Sequence, residues 1–272
     1  YLAQQDEVDG EYHYRKANAA FAYGGAEEAI RMLNTNLDLN ITDYVTVDFQ
    51  ALIDTIDIVG GIEITITEDE AALINTYIDE LENWTDGSSS HLDGAGTYTL
   101  DGIQATAYCR IRKTAKGDFG RAQRQRIVLG TLFKKVKSAG LGTVNEVIDT
   151  VFDEVETSLT NAEILGLATT CIGYDIGDTT GFPGNLVTMT LSSAGSVDVP
   201  CTLESNLADL YEKIFDVEDY EASSTVQEIS DYIINVTGCT EEDGSDYGIE
   251  DDGLSETDSD SDSDEDSDED EE

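Results

Sequence analysis

Basic residues are scarce in this chain and lie mostly in one segment. Lys and Arg number 14 against 59 Asp and Glu in 272 residues, which gives a net charge of −45. Residues 240–272 hold 19 of the acids and no basic residue, so residues 1–239 carry a net charge of −26. A chain this acidic repels a polyanion at long range, which argues against a nucleic-acid partner.

Histidine and paired cysteine are also rare. The two histidines, His13 and His91, stand far apart in polar contexts, so neither a histidine-based triad nor a zinc site is expected. The four cysteines form no CxxC pair and have no histidine near them: Cys109, Cys171, Cys201 and Cys239. Two interpretations stay open, a disulfide with Cys171 and Cys201 as the first pair to test, or small buried hydrophobic residues.

Long apolar runs are missing as well. No stretch of the sequence reaches the roughly 18 apolar residues that cross a bilayer, and no signal peptide opens it. The first residue is Tyr1 rather than Met, so we expect any export signal or membrane anchor to lie upstream of it.

Apolar periodicity in the first half of the chain predicts an α/β fold. Helical spacing indicates helices over residues 26–37, 52–59 and 68–81, and alternation indicates strands over residues 45–49 and 62–67. The strand–helix–strand order suits a βαβ crossover. We therefore predict an α-β-α layered sandwich with a central mixed β-sheet, helices on both faces and its first strands missing from the chain.

Weaker signals predict the secondary structure and the domain division of the remaining sequence. Alternation predicts strands over residues 107–112 and 186–191, and a helix should open at Asp118 and end near residue 140. Its apolar face is predicted to be Leu129, Leu132, Phe133 and Val136. Capping boxes are predicted at Thr160 with Glu163 and at Thr225 with Glu228. We assign residues 1–138 to one domain, residues 139–239 to its completion or a helical extension, and residues 240–272 to a disordered acidic tail.

Positive charge is concentrated between residues 110 and 137. Ten of the 14 basic residues lie there, with one acid among them, Asp118. The ten are Arg110, Arg112, Lys113, Lys116, Arg121, Arg124, Arg126, Lys134, Lys135 and Lys137. Such a segment inside an acidic chain predicts an anion-binding site.

Four arginines can be expected to meet at this site. Arg110 and Arg112 would share one face of the predicted strand, while Arg121 and Arg124, with Gln125 beside them, would share one face of the helix. The start of that helix adds free backbone N–H groups and a favourable dipole. Because the planar arginine fork grips phosphate oxygens in bidentate fashion, the pattern favours a phosphate ligand.

Asp118 is the carboxylate of this segment, and its role has two interpretations. It is well placed to be the N-cap of the helix. It is equally well placed to hold a metal or to accept a proton from an attacking hydroxyl. Since a carboxylate surrounded by arginines is a poor base, we favour orientation of the arginines or metal binding over proton transfer.

These residues resemble the LytR-CpsA-Psr family of cell envelope-related transcriptional attenuator domains. The similarity is carried by LDGIQATAYCRIR at residues 100–112 and GDFGRAQRQ at residues 117–125. Upstream motifs in the same order are KANAAFAYGG at residues 16–25, YVTVDF at residues 44–49, Asp57 and the glycine pair at residues 60–61. The resemblance covers about residues 12–138.

The resemblance implies an extracytoplasmic phosphotransferase that moves a glycopolymer from a polyprenyl-pyrophosphate carrier to peptidoglycan or another wall acceptor. It implies that Arg110, Arg112, Arg121, Arg124 and Gln125 bind the pyrophosphate, and that Asp118 and Arg121 act in catalysis. It also implies Mg²⁺ or another divalent cation as cofactor and a membrane anchor before residue 1. The family's Asp-containing strand and Arg-Asp motif are not found in the sequence, so some metal ligands are expected outside it.

A module without catalytic activity is the alternative. Such a relative would bind a polyprenyl pyrophosphate or an anionic wall polymer through the same arginines without transferring it. Nucleic acid is the weaker candidate, because Tyr108 and Phe119 are the aromatic residues near the four arginines and the rest of the chain is acidic.

Overall fold

Helices and strands alternate between residues 19 and 81, as the periodicity predicts. The computed structural model describes residues 1–5, 11–114, 117–170, 173–177 and 179–246. The helices are α1 (Ala19–Leu37), α2 (Phe49–Ile58), α3 (Glu68–Leu81), α4 (Gly102–Arg110), α5 (Gly117–Ala139), α6 (Leu141–Val151), α7 (Asn161–Thr170), α8 (Leu203–Phe215) and α9 (Ser224–Thr237). The strands are β1 (Leu2–Gln5), β2 (Tyr12–Arg15), β3 (Val45–Val47), β4 (Ile62–Ile66), β5 (Gly96–Leu100), β6 (Val155–Thr157), β7 (Asn185–Leu191), β8 (Gly195–Pro200) and β9 (Ser245–Asp246).

The α/β class is confirmed, but the strands pair differently from the prediction. Within the described residues the pairs are antiparallel and form four small sheets, β1–β2, β3–β6, β4–β5 and β8–β7–β9. The predicted βαβ crossover is wrong, because β3 and β4 lie in different sheets. Alternation marks a half-buried strand but carries no information about its partner, and β6 lies about a hundred residues beyond β3 in sequence.

Two hydrophobic cores hold the chain together. The first is formed by α2, α3, α4, α5, β4 and β5. The second joins β1 and α1 at the start of the chain to β8, α8 and α9 near its end. Asp38, which follows α1, links these distant segments by accepting hydrogen bonds from the Tyr220 hydroxyl at 2.6 Å and from Ser223. The predicted domain division at residue 138 stays a prediction, and the second core draws on both sides of it.

Local patterns located most helices correctly. The helix predicted over residues 68–81 is α3, and Thr67 and Glu70 close a capping box at its start. The capping box of Thr160 with Glu163 is confirmed, whereas the one at Thr225 is wrong, because Ser223 is the N-cap of α9. No helix among the described residues is long and apolar enough to cross a membrane.

The predicted strand over residues 107–112 is instead the end of helix α4. Its N-cap is Asp101, which forms a capping box with Gln104. Every residue from Gly102 to Cys109 is buried, because α2, α3, α5 and β5 surround the helix. A helix buried on all sides shows no amphipathic period, and its Thr, Tyr and Cys residues are no stronger as helix formers than as strand formers.

Gly102 allows α4 to approach α2 closely. A Cβ atom at this position would lie 2.3 Å from the carbonyl oxygen of Ile53. The Gly102 N–H donates to the Asp57 carboxylate at 2.7 Å, which ties the start of α4 to the same helix. The Leu-x-Gly sequence at residues 100–102 is therefore a packing motif. Leu100 is buried at the end of β5, and Gly102 leaves room for the backbone of α2.

We predict that Gly102→Ala will lower the free energy of unfolding by about 2 to 3 kcal/mol, because the added methyl group must displace backbone atoms of α2. Gly142→Ala is the matched control, since Gly142 lies in α6 with open space around its Cβ position. That change should raise the free energy by up to about 1 kcal/mol. Urea unfolding of both variants checks the prediction, and equal effects would contradict it.

The acidic segment after residue 239 begins with ordered structure. A 3-10 turn spans Glu241–Asp243, and β9 pairs with β7. The Asn185 side chain donates to the Glu241 carbonyl at 3.0 Å. Residues 247–272, which make up most of the predicted disordered tail, lie outside the described residues, so that part stays a prediction.

We predict that deleting residues 247–272 will change the melting temperature by less than about 2 °C, because these residues have few apolar side chains to bury. Deleting residues 240–272 should lower it by about 5 °C or more, since β9 and the Asn185 contact are then lost. Calorimetry on the two truncated chains checks this, and the same melting temperature for both would show that residues 240–246 do not contribute.

Candidate functional site

Helix α5 turns one stripe of side chains toward the first core. The buried residues of the stripe follow one another four positions apart, Gly120, Arg124, Val128 and Leu132. Arg124 therefore belongs to the buried face of α5, and Leu129, which was predicted to be on the apolar face, is exposed. Arg121 is not part of this buried face, although it is only three residues from Arg124.

Arg124 anchors the loop between α4 and α5. Its side chain is 7% exposed. One terminal nitrogen donates to the carbonyl of Ile111 at 3.1 Å and to the hydroxyl of Thr114 at 3.2 Å, and the other lies 3.4 Å from a carboxylate oxygen of Glu70. A buried guanidinium with these partners fixes the backbone on both sides of Arg112. Arg124 therefore supports the predicted site from the protein interior.

Glu70 is the acid that accompanies this buried arginine. Its Oε1 faces Arg124, while its Oε2 accepts from the backbone N–H of Thr67 at 3.1 Å and so closes the capping box of α3. The sequence pattern did not indicate this residue as part of the site. Its Thr-x-x-Glu spacing is visible in the sequence, but the contact with Arg124 spans 54 positions and depends on tertiary structure.

Asp118, Arg112 and Arg121 meet at the start of α5. The Oδ1 atom of Asp118 lies 3.4 Å from Nε of Arg112 and 3.3 Å from a terminal nitrogen of Arg121. The exposed fractions of the three side chains are 63%, 61% and 27% respectively. Asp118 lies in the first turn of α5, inside the helix rather than at its N-cap. Two guanidinium groups thus converge on one oxygen where the helix dipole also favours negative charge.

Arg110 lies among partners from other elements. It ends α4, so it shares no strand face with Arg112, which corrects the predicted arrangement. Its guanidinium pairs with Glu80 at 3.4 Å and lies 5.4 Å and 5.2 Å from the ring centres of Phe49 and Tyr77. Cation–π attraction to two rings favours one orientation of the guanidinium. The assignment of Arg110 as a phosphate ligand stays a prediction.

Gln125 is exposed on α5, one turn beyond Arg121. Residues four apart on a helix are neighbours on its surface, so the amide of Gln125 and the guanidinium of Arg121 can face the same ligand. Its assignment as a pyrophosphate-binding residue also stays a prediction.

The described carboxylates near the arginines do not form a metal site. No three His, Cys, Asp or Glu side chains lie close enough to hold a metal in the part of the chain that the structure describes. At the start of α5, Oδ1 of Asp118 is shared by two guanidinium groups, which would repel a cation. This donor set does not fit Mg²⁺, which takes oxygen ligands in octahedral geometry.

We predict that Arg124→Ala will lower the free energy of unfolding by roughly 2 to 4 kcal/mol, because Glu70 and the Ile111 carbonyl would lose their buried partner. Arg121→Ala is the matched control on the same helix and should cost less than about 1 kcal/mol, since its ion pair is partly exposed. Guanidinium unfolding of both variants checks this. A larger loss for Arg121 would show that the two roles are reversed.

Comparison with known proteins identifies the chain at the level of its family. The sequence profile of the LytR_cpsA_psr family matches residues 3–189. The chain is 34% identical over 161 residues to the Bacillus subtilis polyisoprenyl-teichoic acid–peptidoglycan teichoic acid transferase TagV, an alignment that covers 58% of this chain and 39% of that protein. The chain thus spans about two fifths of the length of this relative.

Solved structures show the same fold. A transcriptional regulator from Enterococcus faecalis is similar with a TM-score of 0.59 at 22% identity, over 88% of this chain and 82% of that one. The crystal structure of B. subtilis TagV is similar with a TM-score of 0.55 at 24% identity, over 81% and 80% of the two chains. Since the family profile covers well over half of the sequence and the fold agrees, the chain belongs to the LytR_cpsA_psr family.

Proposed function

We propose that this chain takes part in the transfer of an anionic glycopolymer from a polyprenyl-pyrophosphate carrier to peptidoglycan or another wall acceptor. Family membership supports the proposal, as does the teichoic acid transferase activity that the name of the TagV relative states. Such substrates are found in the cell envelope, so we place the reaction on the extracytoplasmic face of the bacterial membrane.

The observation that carries the proposal is the shared oxygen of Asp118. One carboxylate oxygen within 3.4 Å of both Arg112 and Arg121 demonstrates that these two guanidinium groups reach a single anionic point. A pyrophosphate carries more charge than a carboxylate and more oxygens to accept from a planar fork. The partly exposed side chains can turn from Asp118 to such a ligand, whereas the buried Arg124 keeps its protein partners.

The proposed reaction is a displacement at phosphorus. The hydroxyl oxygen of an acceptor sugar forms a bond to the phosphorus that carries the glycan, and the bond from that phosphorus to the bridging oxygen breaks. Polyprenyl phosphate leaves, and the hydroxyl proton passes to solvent or to a base. Arg112 and Arg121 stabilise the negative charge on the phosphoryl oxygens, which is the main contribution that a protein makes to this chemistry.

Asp118 is proposed to orient the two arginines rather than to accept the proton. Its oxygen lies between their guanidinium groups, so it fixes their direction before the ligand arrives. Mg²⁺ remains a prediction of the family resemblance. The described carboxylates do not form a set suited to hold it, and the proposed reaction contains no step that depends on it.

We predict that Arg112→Ala and Arg121→Ala will each weaken binding of a short polyprenyl pyrophosphate by about 1.5 to 3 kcal/mol, the scale of hydrogen bonds to charged groups. Arg→Lys at either position should restore little, because lysine keeps the charge but lacks the fork. Isothermal titration with geranylgeranyl pyrophosphate measures the effect, and inorganic pyrophosphate in parallel separates the contribution of the lipid.

Lys134→Ala is the control for net charge. Lys134 lies on α5, 13 positions beyond Arg121, or about 20 Å along the helix axis. Equal weakening by Lys134→Ala would show diffuse attraction and refute the site. Transfer of radiolabelled glycopolymer to peptidoglycan then tests catalysis, and tight binding without transfer would favour the alternative of a non-catalytic binding module.

A further inference from the structure

Two cysteines meet in the second core. Cys201 directly follows β8, and Cys239 follows the glycine that ends α9. Both side chains are buried, with exposed fractions of 0% and 4%. Both belong to the same buried cluster, and Cys239 is close enough to affect the pKa of the Cys201 thiol, although the residues stand 38 positions apart in the sequence.

The backbone around the two cysteines is held by one asparagine. The carbonyl of Asn185, at the start of β7, accepts from the backbone N–H of Cys201 at 2.9 Å. The side-chain nitrogen of Asn185 donates to the carbonyl of Cys201 at 2.9 Å and to that of Glu241 at 3.0 Å. The end of β8 and the segment after α9 are thus tied to the same side chain, which brings the two cysteines near each other through the backbone.

We propose that Cys201 and Cys239 form an intrachain disulfide bond that joins the end of β8 to the end of α9. The two side chains are buried in the same cluster beside the Asn185 side chain, so a bond length of about 2.05 Å joins residues that the fold already brings together. The bond closes a loop that contains α8 and α9, the helices that cover the second core. Closing such a loop stabilises a fold because it reduces the freedom of the unfolded chain.

The oxidation is a thiol–disulfide exchange with a disulfide oxidant, either oxidised glutathione or a dithiol oxidase. One thiolate attacks the oxidant to give a mixed disulfide, and the second thiolate then displaces the oxidant's remaining sulfur. Two thiols of the chain and one disulfide of the oxidant become one disulfide of the chain and two free thiols. The two electrons and two protons therefore pass to the oxidant.

The buried thiols are poor nucleophiles once the chain has folded. Burial, and to a lesser extent the neighbouring Cys239, raises the pKa of Cys201 to about 11. Because exchange requires the thiolate, the bond should form while the chain folds rather than afterwards. The bond persists in the cell only in an oxidising compartment, so its presence there rests on the proposed extracytoplasmic location.

The other two cysteines provide comparisons. Cys109 is buried in the first core, and burial raises the pKa of its thiol to about 12, while the charge of Arg124 acts in the opposite direction. It should remain a thiol. Cys171, which the sequence suggested as the partner of Cys201, lies outside the described residues and would compete for the same sulfur atom.

Peptide mapping distinguishes these pairings in the unmodified chain. The reduced, unfolded chain is refolded in a glutathione redox buffer, and free thiols are blocked with N-ethylmaleimide. Cleavage by trypsin after Lys213 and by cyanogen bromide after Met189 places the three cysteines on separate fragments, residues 138–189, 190–213 and 214–272. We expect fragments 190–213 and 214–272 to be joined and two thiols to be blocked. A bond from fragment 138–189 to 190–213, or four blocked thiols, would overturn the proposal.

Thermal unfolding provides a second measurement. The oxidised chain should melt about 5 °C or more above the reduced chain. This difference should vanish in Cys239→Ala and persist in Cys171→Ala and Cys109→Ala. A difference that survives Cys239→Ala would refute the bond. Neither measurement involves pyrophosphate binding or transfer, so a failure here leaves the proposed transferase function untouched, and the converse also holds.

Discussion

The buried guanidinium of Arg124 is the interaction on which the candidate site depends. A charge removed from water is costly unless it is paired and hydrogen-bonded. Here Glu70 supplies the opposite charge, and the loop at Ile111 and Thr114 supplies two further acceptors. The cost of burial thus selects one path for residues 111–114, which follow α4. That path brings Arg112 to the start of α5, so the exposed arginines depend on a buried one.

Each of the four arginines has an acidic neighbour, and burial determines what that neighbour does. Glu70 is only 14% exposed and pairs with the buried Arg124, so their pairing is retained and strengthens the fold. Asp118 is exposed beside Arg112 and Arg121, where water competes for the ion pairs and a more highly charged ligand can replace them. One residue type in one short segment therefore serves both as structural anchor and as proposed ligand.

The elements that sequence patterns predicted well are those with one solvent-exposed face and one buried face. Helix α3 and strand β4 show clear periods because each buries one side only. Helix α4 was mistaken for a strand because it is buried all round, and its pattern then carries no period. The same mistake placed Arg110 beside Arg112. In the structure the guanidinium of Arg110 lies over the rings of Phe49 and Tyr77, with Glu80 as its ion-pair partner.

The sequence by itself determined the fold class, the concentration of positive charge before and along α5, and the family to which the motifs belong. These three properties depend on residues within a few positions of each other, so they can be read from short-range spacing in the sequence. Tertiary structure decided which strands pair, which arginine is buried and which cysteines share a core. Those outcomes join segments that are tens of residues or more apart, where contact follows from the packing of whole helices and sheets rather than from local spacing.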